Sequence, residues 1–279
     1  MSISLSTVAQ ELFDAEVKHA FQTAGNLRNT VTIRNGVVGD TYNFRAMAKG
    51  LANQKASQDD VTPMNVVHST ISCTLGNWVA PEYSDIFDQA EVNFEERMEL
   101  ATTIAGALGR RLDQLILDAM AASHHTTAAG TVGGALGYAD IIEASMIMNN
   151  LGVPSGDRHV ALTAKGVSDL LGDSQVTSSD FVTLKALVGG ELVSWMGFNF
   201  HIIETRAEGG LEIDAAGGDE VEAFCWHKSA VGLAIGLDIR TEVNYVPTKT
   251  SWLCNGIMKA GCVTRDATGV IQLDYDEVA

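Results

Sequence analysis

Between positions 94 and 119, apolar residues recur in alternating steps of four and three: Phe94, Met98, Ala101, Ala105, Leu108, Leu112, Leu115 and Ala119. On a helix these positions form one continuous stripe. Glu95, Glu96, Glu99, Arg110, Arg111, Asp113, Gln114 and Asp118 fall largely off it, where water or a partner can hold the charge. Ser84 is placed as an N-cap, with Asp85 and Asp88 bringing negative charge to the first turn. His124 and His125 stand where the helix should stop. At 1.5 Å per residue the stretch 91–122 predicts a rod of roughly 48 Å. A bundle or coiled-coil helix is the ordinary reading of such a stripe, but the chain holds no second rod to pack beside it. The rod is therefore expected to be a scaffold for sheet.

Strand periodicity frames the rod. Tyr42 and Phe44 alternate with Asn43 and Arg45, and Val67, Ile71, Cys73 and Leu75 alternate with His68, Thr70, Ser72 and Thr74. The polar stretch 49–60 between them predicts the tip of a long hairpin. A two-stranded hairpin is marginal alone in water, so its apolar side expects a neighbour, the alternative being that the hairpin folds back on its own core. Near the end, Val231, Leu233, Ile235, Leu237, Ile239, Val243 and Tyr245 share one parity. A strand over 231–245 would run roughly 50 Å, matching the rod, and the two are expected to lie along each other. Strands over 252–263 and 270–273 follow, split by a turn at 266–269.

Shorter elements fill the middle. A loop is expected over 124–137, then a helix carrying Ala139, Ile142, Met146 and Leu151 and ended by Gly152 and Pro154. A strand over 160–163 and a helix over 164–171 closed by Gly172 come next. A helix over 180–188, a strand over 198–203 and a mobile Gly-rich acidic loop over 206–219 complete a compact α/β region. Leu12, Ala15, Val17 and Phe21 predict a short amphipathic opening whose apolar side partner subunits would cover.

Charge narrows the possible functions. The chain of 279 residues carries a formal charge of −17. Direct grip on DNA or RNA needs clustered Lys and Arg, which this balance opposes. The 46% of hydrophobic residues suffices for a real core. Cys73, Cys225, Cys254 and Cys262 form no CxxC pair and sit in apolar or alternating runs, as small core residues in a reducing setting. Met1 to Gln10 lacks a basic start and an apolar core, so no signal peptide is expected, and no apolar run is long enough for a membrane-spanning helix.

No residue set carries catalysis, and no cofactor or metal is expected. Phosphate-loop, dinucleotide and nucleophile-elbow motifs are missing from the sequence. His124 and His125 are adjacent and point apart. His68 and Cys73 fall on opposite faces of a strand. His227 follows Cys225 and Trp226 in strand context, and Lys228 reads as a surface lysine. Glu95, Glu96 and Glu99 read as a solvated or subunit-facing patch, with a divalent-cation site as the alternative. Nucleophile, base and oxyanion donors never occur together.

The order of elements resembles the Hong Kong 97-type major capsid protein family of tailed bacteriophages. Ile86-Phe87-Asp88 leading to the run from Arg110 to Ile116 is similar to its spine helix. Ala139 to Leu151, Val153-Pro154, Arg158 and Val160 to Leu171 resemble its axial domain, and Asp180-Phe181, Gly190 and Gly197 to Phe200 the segment after it. His227 to Leu233 and Gly261 to Arg265 resemble its returning strands. The resemblance implies an α+β fold divided into an N-terminal arm (1–30), an extended hairpin or E-loop (31–80), a peripheral domain with the spine helix (81–137), an axial domain (138–224) and peripheral return strands (225–279). It implies a structural protein, not an enzyme. Such a protein would be assembled in the bacterial cytoplasm through pentamers and hexamers of itself into an icosahedral virion shell. That shell would enclose double-stranded DNA without specific contacts. Separate scaffolding, portal and decoration proteins are possible partners; no membrane is involved. Lys49 and Lys55 lie where some relatives cross-link, but no matching motif accompanies them and no cross-link is expected. An encapsulin-type compartment shell and a soluble α/β enzyme are the competing readings.

Overall fold

The computed structural model describes residues 25–86, 96–130, 134–172, 194–204, 208, 210–211, 213–214 and 220–277. The strands before the rod are β1 (Thr32–Asn35), β2 (Thr41–Met47), β3 (His68–Thr74) and β4 (Gly76–Asp85). The rod is α1 (Glu96–Ala122). β5 (Ala129–Gly130), α2 (Tyr138–Asn150), β6 (Arg158–Leu162) and α3 (Ala164–Gly172) follow. Then come β7 (Ser194–Trp195), β8 (Phe198–Ile202), β9 (Ile213–Asp214) and β10 (Glu220–His227). The chain closes on β11 (Val231–Val246), β12 (Ser251–Thr264) and β13 (Val270–Asp276).

The rod lies against a four-stranded sheet ordered β1-β11-β12-β4. Its 27 residues give a length of about 40 Å. Ile104, Leu108, Leu112, Ile116 and Met120 are buried. At Gly256 of β12 a Cβ would overlap Ile104 Cγ2 and stand 2.9 Å from Leu108 Cδ1, so glycine is what lets helix and sheet approach this closely. The expected stripe is right at Leu108 and Leu112 and drifts elsewhere: Ala105 is exposed, and Leu115 and Ala119 are only half-buried. A strict alternation of four and three repeats every 3.5 residues, whereas a straight helix turns in 3.6. The larger Ile and Leu side chains next to the alanines take the buried face instead. Ser84 is not a cap: it lies in β4, paired with Trp252. Phe94 and positions 91–95 lie outside the described residues.

Asp113 also corrects the expected pattern. It is 2% exposed, and its carboxylate accepts the backbone N–H groups of Asn26 (2.9 Å) and Leu27 (3.1 Å). The rod thereby holds the incoming chain where Leu27 and Val31 enter the core. Each hydrogen bond to a charged acceptor is worth about 1.5–3 kcal/mol. Asp113→Ala, which orphans both donors, is expected to lower stability by about 2–4 kcal/mol while the subunit still folds; a urea titration at neutral pH measures the loss.

β11 covers the expected span to within one residue and changes character along its length. Val231 to Ile235 are all buried, because the rod covers one face and the root of the hairpin the other. Two register shifts follow, between Ile235 and Leu237 and between Leu237 and Arg240. Each adds one residue to β11, as bulges do. The second restores the phase, so Val243 stands opposite Cys254. Cys254 is buried, yet Val243 is 42% exposed, since β11 there extends past what the rod covers. The expected companionship of rod and ribbon therefore holds for the first part of β11 and passes to β12 beyond it.

The second sheet is ordered β5-β13-β10-β6-β8-β7, with β9 pairing β10. α2 buries Ile141, Ala144, Ile147 and Met148. Gly166 of α3 lies under the Tyr275 ring, whose hydroxyl accepts the Thr163 N–H at 2.9 Å. Burial pushes the Tyr275 phenol up to about 12. Arg158 is 2% exposed and donates to Asn149 Oδ1 (2.8 Å), Val153 O (2.6 Å) and Pro154 O (2.8 Å). It thus ties the end of α2 to β6. Two expectations change here. β13 does not extend the long-strand sheet but pairs with β10. Within 206–219, of which only 208, 210–211 and 213–214 are described, Leu211 is buried and β9 pairs with β10, so this part is not surface loop. The amphipathic opening around Leu12 to Phe21 and the helix expected over 180–188 lie outside the described residues.

Candidate assembly surfaces

β2 and β3 pair from Thr41↔Thr74 to Met47↔His68 as an antiparallel hairpin. Its root packs on its own sheet. Phe44, Cys73 and Leu75 cluster with Ala234 and with half-buried Val37, Tyr42 and Val263. At Gly261 a Cβ would run into Thr74 O, so the hairpin's backbone rests directly on β12. Lys259 Nζ reaches Asp40 at 2.6 Å, and this contact holds the Asp40 carboxyl below its ordinary range. The arm expected to leave its own core is thus anchored to it at the base.

The far end of the hairpin is different. After the Ala48 N–H bond to Val67 O at 3.0 Å the chain runs irregularly to β3. The loop is less polar than its first half suggests. Leu51 is 82% exposed, and Met47, Val61, Met64 and Val67 are also exposed. None of these apolar side chains is covered by the described residues. Lys49 Nζ donates to Leu151 O at 2.9 Å, bringing one side of the loop to the C-terminal end of α2. The loop therefore does not project freely from the subunit.

A second surface lies at the outer end of the four-stranded sheet. Lys249 Nζ sits 3.9 Å over the Tyr83 ring, and Tyr245 and Trp252 meet at 5.3 Å between centroids. Val79, Tyr83, Val243 and Tyr245 are exposed. β4 forms an edge of the sheet and carries Pro81. Proline suits an edge strand because it cannot donate to a further neighbour.

The candidate chemical groups do not converge. His124 closes α1, with Nδ1 at 3.3 Å from Met120 O and 3.2 Å from Ala121 O. His125 belongs to the turn at Thr127. His68 is exposed while Cys73 is buried on the root of the hairpin. Burial pushes the Cys73 thiol up to about 11 and that of Cys225 to about 12, so neither is a thiolate near neutral pH. Cys254 is buried and Cys262 half-buried, and neither is in a disulfide. Glu96 opens α1, Glu99 is half-buried three residues on, and Glu95 lies outside the described residues. Among the described residues no three His, Cys, Asp or Glu side chains gather as metal ligands, and no helix is long and apolar enough to cross a membrane.

A groove opens beside the start of β1. It has a volume of about 630 Å³ and lies between Val31, Thr32 and Ile33 on one side and Asp157, His227 and Lys228 on the other. His227 Nδ1 is 2.7 Å from Ser229 Oγ, a Ser–His contact that the sequence reading did not single out. The same nitrogen accepts the Ser229 N–H at 3.2 Å, so His227 caps the short turn Lys228–Ala230. Lys228 is exposed, as expected.

Several solved phage capsid structures share this architecture. The capsid of cyanophage P-SCSP1u is similar at 17% identity and a TM-score of 0.78, with 96% of this chain and 93% of that one covered. The head of Helicobacter pylori bacteriophage KHP40 is similar at 12% identity and a TM-score of 0.77, with 95% of each chain covered. The capsid of Ralstonia phage GP4 is similar at 12% identity and a TM-score of 0.70, covering 99% of this chain and 98% of that one. At such identities the likeness establishes the fold, which is the expected α+β fold of the Hong Kong 97 type. No curated protein matches the chain. A family described as phage capsid protein matches residues 5–277. With a match that spans nearly every element of both sheets and the rod between them, the chain belongs to the phage capsid protein family.

Proposed function

We propose that this subunit forms pentamers and hexamers that close into the icosahedral shell of a bacteriophage around double-stranded DNA. As a phage capsid protein it is a structural, self-associating component of the virion shell and not an enzyme. The observation that carries the finer reading is the apolar loop at the end of the hairpin: Leu51, Val61 and Met64 are exposed on a segment whose root is firmly packed. Exposed apolar patches of this kind mark interaction surfaces. In the assembled shell this loop covers a neighbouring subunit. The formal charge of −17 suits a wall that confines DNA without gripping it.

The proposed division has an N-terminal arm (1–30), an extended hairpin (31–80), a peripheral unit carrying the rod (81–137), an axial unit about which copies gather (138–224) and return strands (225–279). β13 joins the axial unit, because its partner is β10. Scaffolding, portal and decoration proteins would meet this shell as separate chains. Negative-stain microscopy of the purified protein tests the reading: closed shells or five- and sixfold rings are expected. A monodisperse monomer at all concentrations overturns it, and shells filled with a protein cargo would assign the subunit to a compartment instead.

A further inference from the structure

Three neighbouring strands of the second sheet place His159 (β6), His201 (β8) and Trp226 (β10) on one face. Trp226 pairs directly with His159, and His201 pairs with Ala161, two residues further along β6. His159 Nδ1 lies 3.0 Å from His201 Nε2. Their rings stack on the buried Trp226 at 5.9 and 6.3 Å between centroids. Trp226 in turn donates its Nε1–H to Thr30 O at 3.1 Å. Thr30 leads into Val31 and β1, which pairs in parallel with β11 of the other sheet. A second bond, from Thr32 Oγ1 to Lys228 O at 3.0 Å, fastens the same segment. The stack therefore stands behind the fastening that joins the incoming chain to both sheets.

The chemistry of the pair allows one proton between the two facing nitrogens. One nitrogen donates and the other accepts, so charging both rings sets two N–H groups against each other. His159 Nε2 is buried and has no partner, so an added proton there finds no acceptor. The charged groups around the pair divide. Asp157 favours a charged His159, whereas His201, Lys228 and His227 oppose it. Arg158 is committed to Asn149, Val153 and Pro154. Burial is the largest influence and, with those neighbours, holds His159 down to about 4; burial also lowers His201.

We propose that the His159–His201 pair on Trp226 is an acid-sensitive clasp: protonation separates the rings and frees the segment from Leu27 to Asn35 from the second sheet. The direction follows from linkage. A histidine titrating near 6.5 in the unfolded chain and lower in the folded one stabilises the fold fully above about 6.5. That contribution is lost progressively as pH falls toward about 4.

Hydrogen exchange of the full chain at pH 7.5 and 5.0, corrected for intrinsic rates, tests the clasp. In the wild type the amides of 27–35 should exchange about tenfold faster at pH 5.0 than at 7.5, with the core of α1 much less affected. His159→Gln keeps a hydrogen-bonding side chain but cannot charge, and its 27–35 segment should lose most of that pH dependence. His201→Asn gives the same comparison through the other ring. The proposal is overturned if wild type and folded variants show the same pH dependence, or if acid accelerates exchange uniformly. Failure of both variants to fold at pH 7.5 also overturns it, since the pair would then be structural.

Discussion

A Leu108→Asp subunit is expected to be recovered unfolded or aggregated, with no particles formed. Leu108 is 3% exposed on the rod and faces Gly256 of β12, where there is no room even for a methyl group. An ionised carboxylate buried there would lose its hydration. Protonating it to fit would still bury an unmatched polar group in place of a leucine. Removing a buried leucine alone costs about 2–5 kcal/mol, and burying the unpaired polar group adds about 1–3 kcal/mol. That sum rivals the whole stability of an ordinary domain, about 5–15 kcal/mol. Circular dichroism of the soluble fraction and particle counts by microscopy check the outcome; normal particle yield would refute the placement of the rod on β12.

Deleting residues 49–60 should give the opposite combination: a folded subunit that makes no stable shells. The removed stretch carries Leu51 and the Lys49 bond to Leu151 but none of the hairpin root. Met47 and His68 face each other across the paired strands, so the shortened loop still has little distance to bridge. Closing a shorter loop changes stability by well under about 1 kcal/mol, and the thermal midpoint should barely move. Loss of Leu51 from the apolar contact between copies, with the loop shortened, should act on assembly alone, which sedimentation velocity will separate from folding. Intact shells from this deletion would remove the loop from the assembly contacts.

The elements that announced themselves in the sequence are those with one covered face. β2 and β3 alternate cleanly because only the hairpin's inner side meets the sheet. The helix at Tyr138–Asn150 and the strand at Arg158–Leu162 are bounded by Gly137, Gly152 and Pro154. Positions buried on both sides were harder to read. β10 carries Phe224, Cys225 and Trp226 in succession, so no alternation marks its partners, and its pairing with β13 was missed. Asp113 looked like a solvent residue because its ligands are backbone N–H groups from 86 and 87 positions away. The stacked histidines were also missed: neither His159 nor His201 stands in a motif, and only strand pairing brings them together. Glycine was the one usable trace of the rod's seat, since the small residues of β12 mark where other backbone or side chains press close.

The chain crosses between the two sheets twice in quick succession, at Lys228–Ala230 and again at Ala267–Gly269. Ala230 O accepts the N–H groups of both Arg265 (2.6 Å) and Asp266 (3.1 Å), and a Cβ on Gly269 would lie 2.6 Å from Ala230 Cβ. Crossings fastened side by side tie the two sheets along one line, and with a single hydrophobic core reaching both a load on either sheet passes directly to the other.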